Sequence, residues 1–299
     1  MNRMQLKISL MAAVITFASA LSGLSQAAPA DGTVNLLTTP PELTAKVAPN
    51  VVVTLDNSGS MARTYMPDFR PYVDGKQSWE SRWRCAGVIN ADITDPADPR
   101  SWSMNGVYYN PNTTYKPPLY QNDASFPNAL DPSWPNAWKD GIQKYRPTNN
   151  SDPGKTNLST ANINDCGKNG AGYWKYIGPM LTLDANGKIS NTGTLYTDAD
   201  THWKWVALGS ADDIAGPPRT LAEKQTNFAN WYSYYRTRRL AAVSSFSHAF
   251  SAFDAGIRVA WQDLNPGTKV VGGTTILSAF EGATRVNFYN WFFNTSGTS

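Results

Sequence analysis

Residues 48–62 read APNVVVTLDNSGSMA, and the fold turns on what this stretch becomes. Val51, Val52, Val53 and Leu55 form an apolar run, with Pro49 before it and Gly59 after it. A short run of this kind between turn residues suits a strand buried on both faces of a parallel sheet. Asp56, Asn57, Ser58, Gly59 and Ser60 follow at once. The strand therefore delivers a carboxylate and two hydroxyls, spaced two residues apart, to its carboxyl end. In a tight loop such alternate side chains can converge on one point. Carboxylate and hydroxyl oxygens are hard donors, suited to Mg2+, Mn2+ or Ca2+ and poorly suited to soft metals. Hydroxyls neutralise less of the ion's charge than carboxylates do, so the ion can still grip a carboxylate from a partner. The same residue types also favour ordinary turns, so the stretch alone leaves both readings open.

The whole chain narrows the setting. Its 299 residues suffice for one large domain or two small ones, and 41% are hydrophobic, enough for a real core. The net charge of +3 is too small and too dispersed to suggest nucleic acid as a partner. Arg3 and Lys7 precede an uncharged apolar stretch at 8–24, and Ser25-Gln26-Ala27 offers small residues at a cleavage site. Residues 1–27 are thus expected to be an export signal. No later stretch is apolar enough to span a bilayer, so the mature chain is expected to be exported. In an oxidising compartment, the two cysteines, Cys85 and Cys166, are expected to form a disulfide.

After a Pro/Thr/Ala-rich lead-in at 28–48, the texture changes twice. Residues 62–220 hold eight of the 11 Trp and many Pro, Gly, Asn and Asp, with no sustained helical period. Short strands, turns and loops held by aromatic clusters are expected there. From 221, apolar residues recur at steps of three and four through Phe228, Trp231, Tyr232, Tyr235, Leu240, Val243, Phe246, Phe250 and Phe253. That pattern predicts one long amphipathic helix, stopped near Gly256. Ile257, Val259 and Trp261 alternate as in a strand, Val270 and Val271 suggest another, and 283–293 suggests a second helix. Without the long insertion the order is that of an α/β domain, and Asp56 falls at the carboxyl edge of its sheet, where ligands usually bind.

VVVTLDNSGSM resembles the first loop of a von Willebrand factor A domain, whose metal-ion-dependent adhesion site motif, Asp-x-Ser-x-Ser, maps onto Asp56, Ser58 and Ser60. YYNPNTTYKPP, NFANWYSYYRTRRLAA and GGTTILSAFEG…FYNWFF are similar to the N-terminal region of PilY1-type type IV pilus proteins. The resemblance implies an α/β, Rossmann-type A domain at 49–61 and 221–299, incomplete at its C-terminal side and interrupted by the insertion at 62–220. It implies a divalent cation, Mg2+ foremost with Mn2+ or Ca2+ as alternatives. Thr298 is the implied ligand from a second metal loop, and Thr295 the reserve candidate. Also implied are work in pilus biogenesis, attachment or twitching motility, partners among minor pilins or surface receptors, and a place in the periplasm, on the cell surface or at the pilus tip of a Gram-negative bacterium. A propeller and a third metal loop, which the family carries, have no counterpart in these residues.

Two rival classes deserve weighing. An enzyme could use Asp56 or a serine as nucleophile, with His202 or His248 as base. DNSGS lacks the glycine of a nucleophile elbow, and no second carboxylate accompanies Asp56, so a non-enzymatic role is expected. A glycan-binding module could use the aromatics of the insertion, although aromatics also compensate for a loop-rich core. Asp184, Asn186, Asp198 and Asp200 complete no EF-hand loop, and DANGK suits a hairpin turn.

Overall fold

A computed structural model describes residues 47–66, 102, 105–163, 168–177, 185, 203–264 and 274–295. The chain divides into two units at Val47, and the described residues from Ala48 onward belong to the second. The export-signal region, Cys85, Cys166, His202, Thr298, Val270 and Val271, and the acidic pairs at 184–200 lie outside the described residues.

The elements are strands β1 (Asn50–Leu55), β2 (Asn136–Trp138), β3 (Lys155–Asn157), β4 (Gly172–Tyr176), β5 (Trp203–Ala207), β6 (Arg258–Asp263) and β7 (Thr274–Ala279), and helices α1 (Gly141–Tyr145), α2 (Leu221–Tyr234), α3 (Arg238–Ser251) and α4 (Gly282–Asn294). They make a mixed α/β structure. The main sheet has the order β1-β6-β7. β1 runs parallel to β6, in register from Asn50 opposite Arg258 to Leu55 opposite Asp263. β7 is antiparallel to β6, with an irregularity between Val259 and Trp261.

One face of this sheet makes the core. Val53, Leu55, Val259 and Trp261 are buried. Phe288 of α4 packs 5.5 Å from Trp261 and 4.5 Å from Phe250 of α3. The other face mixes polar and apolar residues and is largely open among the described residues, although Ala260 opposite Val52 is buried. Arg258 donates to Asn50 and Gln262 to Thr54 across the strands, while Val52 is 63% exposed. The expectation of a strand buried on both faces is therefore corrected. β1 is parallel, as expected, but helices cover only one side, and consecutive strand residues point to opposite sides.

The expected single long helix is also two. α2 ends at Tyr234, and α3 restarts at Arg238 after a break in which Thr237 accepts a hydrogen bond from the Leu240 N–H. The apolar period continues across the break, but a threonine hydroxyl offers the backbone a cap in place of the next helical turn. Ser244 of α3 donates to the Tyr234 carbonyl and so covers an otherwise orphaned acceptor at the corner. α2 itself starts on a capping box in which Thr220 and Glu223 bond each other reciprocally.

The insertion has little regular structure, as expected: two small antiparallel pairs, β2–β3 and β4–β5, and the single turn-and-a-half of α1. Trp174 faces Trp205, and Tyr176 faces Trp203, across β4 and β5. Its loops are held chiefly by α2. The Asn227 Oδ1 accepts from the Tyr115 N–H at 2.8 Å, and the Asn230 Nδ2 donates to the Tyr115 carbonyl at 3.1 Å. Asn230 also accepts from the Ala129 N–H and donates to Asn128. Trp231, Ser233 and Tyr234 donate to the carbonyls of Val107, Trp138 and Pro127. On the far side, the buried Asp213 accepts from Tyr173, the Gly209 N–H and Lys224 of α2.

Asn230→Ala would strand a buried N–H and a buried carbonyl. It should lower stability by at least about 2 kcal/mol in urea unfolding. A loss under about 0.5 kcal/mol would show that the loops hold without it. Likewise Val53→Ala should cost about 1–3 kcal/mol, while Val52→Thr should stay within about 0.5 kcal/mol. Equal costs would mean that both faces of β1 are covered.

Candidate functional site

β1 ends at Leu55, and the chain turns at once. The Asp56 Oδ1 accepts from the Ser58 N–H at 2.8 Å, which folds the carboxylate back over the turn. A short 3-10 helix, Gly59–Ala62, follows. It brings the Ser58 and Ser60 hydroxyls to 2.7 Å from each other. The three side chains expected to converge are thus gathered in one loop, each half-buried. Oxygens bound side by side on a small octahedral cation at about 2.1 Å lie roughly 3 Å apart. The serine hydroxyls, hydrogen-bonded to each other, stand near that spacing, while the Asp56 carboxylate is held by the Ser58 N–H.

The loop is anchored on both sides. Behind it, the Leu264 N–H bonds the Leu55 carbonyl, extending the strand pairing to the turn. Ahead of it, the Arg238 N–H, one of the orphan donors at the start of α3, bonds the Arg63 carbonyl at 3.0 Å. Arg238 also donates to the Tyr65 carbonyl, and its guanidinium lies 4.9 Å from the centre of the Tyr65 ring. Asn105, 2% exposed, bonds the Thr64 carbonyl and the Met66 N–H. The stretch that leaves the loop for the insertion is thus fixed against the start of α3.

Thr295, the reserve candidate, hydrogen-bonds Asp263, the last residue of β6 and the one opposite Leu55. Thr295 is buried, and its hydroxyl donates to the Trp291 carbonyl at 3.1 Å in the last turn of α4. Among the described residues no three His, Cys, Asp or Glu stand together, so the donor set is the hydroxyl-rich one. His248, weighed as a base, lies within α3, and its Nε2 is buried without a hydrogen-bond partner. Of the insertion's aromatics, Trp138, Tyr173 and Trp203 are buried in the core, while Trp102, Trp134, Trp174 and Trp205 are half-buried.

Sequence reasoning missed Asp263. It closes β6 directly opposite Leu55, at the edge that bears Asp56. Trp291 donates to it at 3.1 Å, and burial pushes its carboxyl above the ordinary range. Its signal was an acid ending an alternating strand, which acquires meaning only once the two strands are known to be parallel. The ion pair between Arg239 of α3 and Asp140 of the insertion was equally hidden.

No helix among the described residues is long and apolar enough to cross a membrane. No family model matches the chain, and no solved structure matches it. Curated sequences do. The chain is 31% identical over 269 residues to the type IV pilus biogenesis factor PilY1 of Pseudomonas aeruginosa strain PAK, covering 84% of this chain and 19% of that protein. It is 29% identical over 301 residues to the factor of the same name in strain UCBPP-PA14, covering 96% of this chain and 22% of that protein. The chain thus spans about a fifth of the length of the curated relatives it matches. With this similarity along most of its own length, the chain is a PilY1-type protein.

Proposed function

We propose that this chain acts in type IV pilus biogenesis as an exported, non-enzymatic binding module. Asp56, Ser58 and Ser60 would hold a divalent cation, Mg2+ foremost, with Thr298 as a weaker further donor. The cation would supply a Lewis-acidic point that takes a carboxylate from a pilus component or a surface receptor.

The observation that carries this reading is the gathering of Asp56, Ser58 and Ser60 in one turn at the carboxyl end of a parallel strand, with the two hydroxyls hydrogen-bonded to each other. The parallel pairing of β1 with β6, with Asp56 directly after β1, supports the α/β part of the reading. The names of the relatives support the pilus role. The residues divide the work simply. β1 fixes Asp56, the turn at Gly59 lets the hydroxyls meet, and the contact of Arg63 with Arg238 sets the loop against α3. With two neutral donors the bound ion would keep much of its charge, and water would complete its shell until a partner displaces it.

Calorimetric titration with Mg2+, Mn2+ and Ca2+ should show one binding event. Asp56→Ala and Ser58→Ala should each abolish it or weaken it at least about tenfold, with the far-UV circular dichroism unchanged. Unaltered binding in both variants would reduce the cluster to a turn.

A further inference from the structure

Three arginines gather where the insertion meets the amino end of α3. Arg236 lies in the break between α2 and α3, Arg239 in the first turn of α3, and Arg146 at the carboxyl cap of α1. The acid among them is Asp140, the N-cap of α1, which accepts from the Gln143 N–H and pairs with Arg239. Asp140 and Arg239 both act electrostatically on Arg146 and on Arg236. Among the described residues, Asp140 is thus the carboxylate these three guanidinium groups share. Arg146 spends two donors on the Asn149 carbonyl. Arg239 uses a second donor on the Thr295 carbonyl at 3.4 Å. Arg236 has one acceptor among the described residues, the Tyr232 carbonyl, and lies 4.2 Å over the Tyr232 ring. A guanidinium has five N–H donors. Each of the three residues is partly buried, Arg236 deeply enough that burial lowers its pKa, so the cluster is partly desolvated and keeps some surface at solvent.

The position is as informative as the charge. Residue 238, between Arg236 and Arg239, binds the Arg63 carbonyl just after the 56–62 loop. Arg239 reaches the end of α4, whose Trp291 holds Asp263 at the same sheet edge. We propose that Arg146, Arg236 and Arg239 form a binding site for a carboxylate of an acidic polypeptide segment, flanking the metal loop. Guanidinium forks match planar two-oxygen acceptors, and Arg239 already takes one such acceptor from Asp140. The inference deepens the reading of the loop as a carboxylate-gripping site by giving the partner a second acid to place. The arginines themselves need no metal.

The test uses the full chain in EDTA, titrated calorimetrically with hexaglutamate, with hexaglutamine and with inorganic phosphate. Hexaglutamate should bind and hexaglutamine should not. Arg146→Gln and Arg236→Gln should each weaken hexaglutamate by about tenfold. Asp140→Asn keeps a side chain competent to cap α1 and removes the competing charge, so affinity should rise about fivefold. That gain is one a merely structural role would not produce, and it decides the matter should either arginine variant melt early. Unchanged affinity in the folded arginine variants, or no gain in Asp140→Asn, would overturn the site. Binding of phosphate in preference to the peptide would overturn the polypeptide ligand. Asp56→Ala should leave these metal-free titrations unaltered, so failure of the metal loop and failure of the arginine site are distinguishable.

Discussion

The structure depends on the way α2 lends its side chains to a region with little regular hydrogen bonding of its own. A loop-rich segment that enters a core carries N–H and carbonyl groups that cannot be left unpaired. Here Asn227 and Asn230, three residues apart on one helix face, take the N–H and the carbonyl of Tyr115 between them. A primary amide has the donor and acceptor of a peptide group, so the helix offers the loop what a neighbouring strand would offer. Trp231, Ser233 and Tyr234 extend the same service, and Tyr109 packs 4.8 Å from Phe228 beneath it. This explains why α2 is buried along its whole second half despite its polar residues.

That arrangement has a consequence for the edge of the sheet. α2 carries the chain on to α3, whose Arg238 fixes the residues just after the loop through the Arg63 carbonyl. The loop bearing Asp56, Ser58 and Ser60 is held between β1 and the start of α3. The insertion leaves a mark there. Asp140 of α1 pairs with Arg239 of α3, and Asn149 bonds Asn294 at the end of α4. Material from the insertion thus walls one side of the carboxyl edge and supplies one of the three arginines beside it.

Much of this was legible in the sequence because it is local. The apolar run before Asp56, the alternation of a carboxylate and two hydroxyls, the helical period after 221 and the strand after 257 are patterns of neighbouring residues. Turn chemistry at Ser58 and Gly59 is local too, and it places the three candidate side chains together. The aromatic crowding of the insertion correctly announced a core built from rings, with Tyr109 and Tyr173 almost wholly buried.

The rest required distant residues to meet. Nothing in the run of valines says that Val53 is covered and Val52 is not, since that depends on helices that pack on one face alone among the described residues. Nothing in the helical period says that it breaks at Thr237, since the apolar face continues on both sides of a cap. Thr295 was a reserve ligand only through the family resemblance, and its bonds to the Trp291 carbonyl and to Asp263 depend on how α4 packs against β6. Asp263 gained its place beside Leu55 from a parallel register across more than two hundred residues, and the arginine cluster joined α1 to the α2–α3 corner. The sequence by itself determined the strand, the loop chemistry and the amphipathic faces, because these follow from near neighbours. Tertiary structure alone decided which faces are covered and which charges stand together, because burial and Coulomb energy depend on distance in space, not on separation along the chain.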